Sequence, residues 1–228
     1  MDRSEIAKVM QAQGWLSRRP AQFGEAVLAR CRVRQYEAYE AVYRDGDPSD
    51  CLMGLVSGRW FVRMPPADTV IGVGEPGFWI GEAGFFRGAK RAASVISVTP
   101  SIGLYLPPAA FNELAANAEY CRHFAANTAE TLAEAIAVIS TLSQPKSDIR
   151  VAQRIANLAT FQAGAVDGVI AISQADLAEM CGVGRSTIVA ILQDLVDRGF
   201  IELQYRRMRI TDMTGLSDFA FNQDRLWR

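Results

Sequence analysis

The segment Ser173–Leu195 (SQADLAEMCGVGRSTIVAILQDL) constrains the fold of this chain most. Ser173, with Asp176 three residues on, reads as the cap of a helix. Leu177 and Met180–Cys181 face inward, and Ala178 is small where two helices must cross. Gly182 falls where a tight turn needs a positive φ. Val183 packs under that turn, and Gly184 opens a second helix anchored by Ile188, Ile191 and Leu192 at i, i+3, i+4. This is the full spacing of a helix-turn-helix. The second helix presents Gly184, Arg185, Ser186, Thr187, Val189 and Ala190 at its N-terminal end, from which such helices read base edges. Arg185 is placed to bond a guanine bidentately, worth roughly 1–3 kcal/mol of discrimination. Ser186 and Thr187 suit a phosphate or a base. Phe200–Leu203 and Met208–Ile210 predict a two-stranded wing, in which Arg206, Arg207 and Arg209 suit phosphates. Those arginines favour DNA over a helix-turn-helix used only for protein contact.

Net charge does not announce that partner. Twenty-four Lys+Arg stand against 25 Asp+Glu, so the argument rests on local charge and fold. A chain of 228 residues suits one large or two small domains. Half of it is apolar, as in ordinary soluble proteins. Cys31, Cys51, Cys121 and Cys181 are scattered without a CxxC pair, so reduced, mostly buried thiols are expected, with no metal or cluster. MDRSEIAKVM lacks the apolar region of a signal peptide, and no apolar run reaches roughly 18 residues. A cytoplasmic protein without a membrane partner is expected. No GxSxG, HExxH or P-loop appears, and there is one histidine. The chain reads as no enzyme.

Upstream, residues 4–13 and Pro20–Cys31 read as helices. From Arg34 to Leu106 short strands are expected near Tyr39–Tyr43, Cys51–Ser57, Arg59–Met64, Thr69–Val73, Ser94–Thr99 and Ile102–Leu106. Turn residues such as Asp45-Gly46-Asp47-Pro48 and Gly74-Glu75-Pro76-Gly77 punctuate them. Such spacing predicts a barrel or sandwich. A helical pattern then runs from Pro107 to about Leu142. Along it Cys121, Ala125, Thr128, Leu132, Ala135, Ile139 and Leu142 recur at alternating steps of four and three. That is a heptad seam, read as a parallel dimer contact rather than packing within the chain. Gln144-Pro145-Lys146 breaks the helix, and Ser147 or Asp148 caps the next one, which runs to about Phe161. A strand at Val169–Ile172 precedes the helix-turn-helix. The expected domains are 1–108, a sensor with N-terminal helices; 109–143, a dimerisation helix; and 144–228, the DNA-binding part.

Residues 77–95, GFWIGEAGFFRGAKRAASV, carry the second constellation. A short helix after Gly81-Glu82 would offer free N–H groups to an anion. Arg91 supplies a cationic fork for phosphate. Glu82 suits a ribose hydroxyl, and Ala92 and Ala93 allow close backbone approach. This segment resembles the phosphate-binding cassette of cyclic-nucleotide-binding domains, with the Arg91-Ala92-Ala93-Ser94 tail of the cyclic-AMP-dependent protein kinase type. With the helix-turn-helix behind it, the chain resembles the cyclic-AMP receptor protein/FNR family of bacterial regulators from about Trp15 to Ile210. The match includes Tyr43-Arg44-Asp45-Gly46-Asp47-Pro48 and Leu55-Val56-Ser57-Gly58-Arg59.

The resemblance implies an α+β fold: a cyclic-nucleotide-binding jelly-roll β-barrel, a long dimerisation helix and a C-terminal winged helix-turn-helix. It implies a homodimer that binds double-stranded DNA, with RNA polymerase as a further partner, controlled by a small effector such as cyclic AMP. Gly81, Glu82, Arg91, Ala92, Ala93 and Ser94 would form the ligand site, Glu82 holding the ribose 2′-hydroxyl and Arg91 the cyclic phosphate. Several positions depart from the catabolite-activator pattern. Ala92 replaces a serine or threonine, as in kinase-type cassettes. Ala137 and Val138 stand where a Thr-Ser pair contacts adenine, leaving Ser140, Thr141 or Thr128 as substitutes. Ser186 replaces a glutamate and Ala190 an arginine in the recognition helix, which implies a different DNA half-site. Cyclic AMP, cyclic GMP, another effector or none, with constitutive DNA binding, all stay open. His123 reads as a surface or packing residue rather than a haem ligand, and the cysteine cluster of an iron–sulfur sensor is missing.

Overall fold

Alternation along one strand sets the layering of the N-terminal half. In β3 (Leu52–Ser57) every residue but the last is buried. Met53 and Leu55 join Tyr36, Trp60, Val62 and Val95 in one core cluster. Leu52 and Val56, of opposite parity, join Leu104, Leu106, Phe23, Phe111 and Phe124 in another. Successive side chains of a strand point to opposite faces, so β3 is covered by strands on one face and by helices on the other.

The computed structural model describes residues 1–161 and 168–222. Residues 162–167 and 223–228 of the expected C-terminal domain therefore lie outside the described residues. The chain divides into two compact units, Met1–Leu132 and Ala133–Arg228.

The first unit opens with α1 (Arg3–Ala12), a 3-10 turn at Leu16–Arg18 and α2 (Ala21–Arg30). Strands β1 (Arg32–Tyr36), β2 (Ala41–Tyr43), β3, β4 (Trp60–Met64), β5 (Thr69–Gly74) and β6 (Trp79–Ile80) follow. After α3 (Glu82–Arg87) come β7 (Ser94–Ser97), β8 (Ser101–Leu106), α4 (Pro108–Ala115) and α5 (Ala118–Leu142). The strands form two antiparallel four-stranded sheets, ordered β1-β8-β3-β6 and β2-β7-β4-β5. The expected jelly roll is thus two open sheets. Trp60 Nε1 donates to Ser101 Oγ at 2.9 Å, and Ser101 in turn bonds Ser97, so these buried polar groups are paired.

Local differences from the sequence reading have physical causes. β1 was not expected: four of its five residues are exposed, as on a charged edge strand. Nor was the two-residue β6. Tyr39, expected in a strand, turns the chain at φ 66°. The single helical run expected from Pro107 is broken before Ala118. Asn117 Oδ1 accepts from the N–H groups of Glu119 and Tyr120, at 2.9 and 3.2 Å, and so caps α5.

Two faces of α5 differ sharply. Phe124, Asn127, Val138 and Thr141 are buried. Of the expected seam, Cys121 and Thr128 are half-buried, while Ala125, Leu132, Ala135, Ile139 and Leu142 are exposed. Leu132 is 60% exposed and Ile139 64%, with Ile136 beside them at 58%. Among the described residues no helix is long and apolar enough to cross a membrane.

The second unit holds the end of α5, then α6 (Ser147–Phe161), β9 (Val169–Ile170), α7 (Gln174–Cys181), α8 (Arg185–Asp197), β10 (Ile201–Gln204), β11 (Arg207–Ile210) and α9 (Met213–Phe221). α6 begins at Ser147, so Asp148 lies in its first turn. β10, β11 and β9 pair in that order. Gln153 Nε2 donates to the Ala220 carbonyl at 2.9 Å, tying α6 to α9. Arg150 Nε donates to the Cys181 carbonyl at 2.8 Å and so satisfies the end of α7.

Candidate functional site

Two surfaces carry the predicted site residues, one in each unit. In the first, β6 turns into α3 through Gly81, whose φ of 109° only glycine adopts freely. A Cβ at Gly81 would collide with Arg91 Nη1. Arg91 is 4% exposed. Its Nη1 donates to the Gly81 carbonyl at 3.2 Å and its Nη2 to the Cys51 carbonyl at 2.8 Å. The Asp50 carboxylate stands 3.7 Å from Nη2, and the guanidinium stacks over the Tyr43 ring at 4.3 Å. Its Nε is buried without a hydrogen-bond partner.

Glu82 begins α3 and is 2% exposed. Its Oε2 also lacks a partner. Burial pushes its carboxyl above the usual range, against hydrogen bonds from its own and the Gly81 N–H, a bond with Thr131 of α5 and the Arg91 charge. Gly81, Glu82 and Arg91 thus come together. The rest of the cassette is placed differently: Ala92 is exposed, and Ala93 and Ser94 are half-buried. Ser94 Oγ accepts from the Asp45 N–H at 3.0 Å. The Arg91 N–H donates to the Asp47 carbonyl, and the Gly46 N–H to that of Arg91, both at 2.9 Å. The 44–50 loop therefore clamps the cassette. An arginine that holds two carbonyls is a strut, so its loss to alanine would disturb the cassette itself and not only a ligand contact.

Unpaired atoms at Glu82 Oε2 and Arg91 Nε fit a ligand that brings a hydroxyl and an anionic oxygen. The sequence reading missed Tyr43, Asp50, Cys51 and Thr131. Thr131 was legible as a polar residue continuing the inward stripe Phe124–Asn127. Of the three expected substitutes, Thr128 donates to the Phe124 carbonyl at 3.3 Å and Thr141 to that of Ala137 at 2.9 Å, while Ser140 is exposed. His123 packs its ring 4.8 Å from that of Phe23.

In the second unit Ser173 caps α7, accepting from the Asp176 N–H at 3.1 Å while its hydroxyl donates to that carboxylate at 2.7 Å. Gly182 ends α7 at φ 61°, and the Val183 N–H returns to the Ala178 carbonyl at 3.0 Å. α8 then starts at Arg185 with Gly184 as its cap. Ile188, Leu192 and Leu195 are buried. Gly184, Arg185, Ser186, Thr187, Val189 and Ala190 are all exposed. β10 and β11 pair with Gln204 opposite Arg207, which leaves Tyr205 and Arg206 as a two-residue tip. Arg206, Arg207 and Arg209 are exposed, and Tyr205, absent from the expected site, is 90% exposed.

The two surfaces match two known domain types. Residues 33–118 match the cyclic nucleotide-binding domain, and residues 149–219 the Crp-like helix-turn-helix domain. No curated protein matches the chain. Among solved structures the fold is similar to that of FixK2 from Bradyrhizobium japonicum, with a TM-score of 0.71 and 17% identity over 83% of this chain and 96% of that one. CLP, the c-di-GMP-responsive global regulator of Xanthomonas campestris, is similar with a TM-score of 0.64 and 19% identity over 85% and 100%. TTHB099, a CRP-family transcriptional regulator from Thermus thermophilus, gives 0.61 and 21% over 82% and 96%.

The protein is therefore a DNA-binding transcription regulator that carries a cyclic-nucleotide-binding domain. It belongs to the cyclic-AMP receptor protein/FNR family.

A raised Glu82 means that the folded chain holds this proton more tightly than the unfolded one. The resulting stability is complete below the ordinary glutamate value of about 4.3 and is lost as pH rises through the raised value. Glu82→Gln mimics the protonated form. As pH rises above the ordinary glutamate value its unfolding temperature should fall less than that of the wild type in thermal-shift measurements. Parallel curves for the two proteins would show that Glu82 is not the group responsible.

Proposed function

We propose that two copies of this chain bind a two-fold DNA site through α8, under control of a small effector held at the Glu82–Arg91 cassette. The observation that carries the DNA reading is the one-sided burial of α8, which leaves Arg185, Ser186, Thr187, Val189 and Ala190 free at its N-terminal end. Arg185 reads a guanine, and Gly184, Ser186 and Thr187 contact phosphate or base edges. Arg206 and Arg207 hold the backbone.

For the effector, the reading is a cyclic nucleotide, with cyclic AMP the first to test. Glu82 takes the ribose 2′-hydroxyl, Arg91 the cyclic phosphate, and the backbone of Gly81 and Ala92 lies along it. The unpaired buried atoms of Glu82 and Arg91 support this. A ligand hydroxyl at Glu82 meets a carboxylate already bonded to Thr131 of α5, so occupancy bears on that helix. Binding then shifts a population toward the DNA-competent state. A second reading has its own support: both Arg91 terminal nitrogens already hold carbonyls. That favours a different effector, or none and constitutive DNA binding. The likeness to a c-di-GMP-responsive regulator supports keeping another effector class open.

The exposed stripe of α5, Leu132, Ile136, Ile139 and Leu142, suits a second copy of itself across a two-fold axis. The reading assigns the cytoplasm as location and RNA polymerase as a further partner, with no catalytic role.

Arg185→Ala should lose about 5- to 150-fold in affinity for a selected duplex, the roughly 1–3 kcal/mol of one bidentate base contact. An unchanged footprint would discard Arg185 as a base reader. Calorimetry should show cyclic AMP binding to the wild type, with Arg91→Lys, which keeps charge but not the fork, markedly weaker. Equal binding would remove Arg91 from the phosphate role, and no binding to the wild type favours the second reading. Ile139→Glu should convert a dimer to a monomer in light scattering. A monomeric wild type would sink the seam.

A further inference from the structure

The two N-terminal helices leave a groove between them that the cassette does not use. It holds about 360 Å³, within the roughly 300–1,000 Å³ range of small-molecule sites. Its floor is the buried Ile6, Cys31 and Leu104. Burial pushes the Cys31 thiol up to about 12, so the floor stays uncharged. Small side chains keep the groove open, Ala7 on the α1 wall and Ala29 on the α2 wall.

Its two ends carry opposite charge. Arg3 Nη1 donates to the Ala29 carbonyl at 3.4 Å, so the first turn of α1 lies by the last turn of α2. A Cβ on Gly24 would meet Gln11 Nε2 at 3.4 Å, so the last turn of α1 lies by the first turn of α2. Arg3 therefore stands at one end of the groove, and Gln11 with Glu25 at the other. At 1.5 Å per residue these ends are about 12 Å apart along α1 and about 6 Å apart along α2. Neither charge is spent within the described residues. Arg3 makes no ion pair there beyond its one carbonyl, and Glu25 has neither a hydrogen bond nor an ion pair.

A cation and a carboxylate across an uncharged floor complement a molecule with a carboxylate at one end and an ammonium at the other. A single amino acid carries both charges on one carbon and is too short to reach both ends. A fatty acid would set its apolar tail against Glu25. An extended peptide covers roughly 3.3–3.6 Å per residue, so two or three residues match the span. We propose that the α1–α2 groove is a second effector site, which binds a di- or tripeptide with free termini and an apolar side chain. The peptide carboxylate lies on the Arg3 fork, its ammonium on Glu25, and the Gln11 amide bonds the backbone between them. Ile6, Cys31 and Leu104 share one core cluster with Phe124 of α5, so occupancy bears on that helix. Binding of the peptide does not depend on the DNA or cassette readings.

The test is calorimetry of the full-length protein with the tripeptide Ala-Leu-Ala, its N-acetylated form, its C-amidated form and octanoate. The free peptide should bind with a dissociation constant of about 1 mM or lower. Each blocked form should bind about tenfold or more weakly, the loss of one charge-assisted contact. Glu25→Gln should abolish the discrimination against the acetylated peptide, and Arg3→Gln that against the amidated one. Ala29→Trp, which fills the groove from an exposed position, should abolish binding while leaving the unfolding temperature unchanged. No binding of the free peptide overturns the proposal, as does equal affinity for the three peptide forms or octanoate binding as tightly as the peptide. Competitive displacement of the peptide by cyclic AMP would place it in the cassette instead and overturn the second site.

Discussion

One helix with two incompatible faces governs this molecule. α5 has 25 residues, which at 1.5 Å each spans roughly 37 Å. It starts in the first unit and ends in the second. Its inward stripe is used up within the chain. Phe124 meets the Trp15, Phe23 and Phe111 rings at 4.7–5.6 Å, and Asn157 Nδ2 donates to Thr141 Oγ1 at 3.0 Å. Rotating the helix to bury Leu132, Ile136 and Ile139 would expose those groups, so the second stripe must stay outside. Each such side chain gains roughly 1.5–3 kcal/mol when fully buried. In the proposed dimer a two-fold seam would double the set, which brings it to the order of the roughly 4–15 kcal/mol that association costs.

The cassette faces a different constraint, that of holding charge away from water. Arg91 is tolerable at 4% exposure because carbonyls, an aromatic face and the Asp50 carboxylate replace its hydration. The Cys51 thiol beside it is pushed up to about 12 by burial, against the pull of that guanidinium, and is therefore inert as a nucleophile. Glu82 is less well served and relieves its burial by holding its proton more tightly. The site is thus stiff at its cationic end and under-satisfied at its carboxylate. On the proposed effector reading, such a site would favour ligands that bring hydroxyl donors to Glu82.

What the amino-acid sequence disclosed divides by contact range. The helix-turn-helix was legible because its determinants, from Ser173 to Leu195, are local: a cap, a left-handed turn and an i, i+3, i+4 anchor. Gly81, Glu82 and Arg91 were legible for the same reason, lying within ten residues of one another. The partners of Arg91 were not, since Tyr43 ends β2 and Cys51 directly precedes β3, forty and more residues away, and no spacing records that meeting. Thr131 differs: its place on the inward stripe of α5 was legible, but not its meeting with Glu82. β1 escaped because an edge strand with exposed arginines lacks apolar alternation. The break before α5 escaped because Asn117 sits in a run whose apolar period continues on both sides. Ser94 has a structural duty that its residue type did not disclose: its oxygen accepts the Asp45 N–H.

The size of the Thr131 contact limits what an effector can do through it. A hydrogen bond to a charged group is worth roughly 1.5–3 kcal/mol. Exchanging it for a ligand bond therefore changes an equilibrium by about ten- to a hundredfold at most. Taking a population from 1:99 to 99:1 requires about 5.5 kcal/mol of differential binding. Thr131 alone cannot throw that switch. The remainder must come from contacts that also differ between states. Arg91 is the group in the cassette with enough at stake, because its two terminal nitrogens join Gly81 to the start of β3. A ligand that recruits only Glu82 would tune such a regulator, whereas one that also draws Arg91 from the Cys51 carbonyl would switch it.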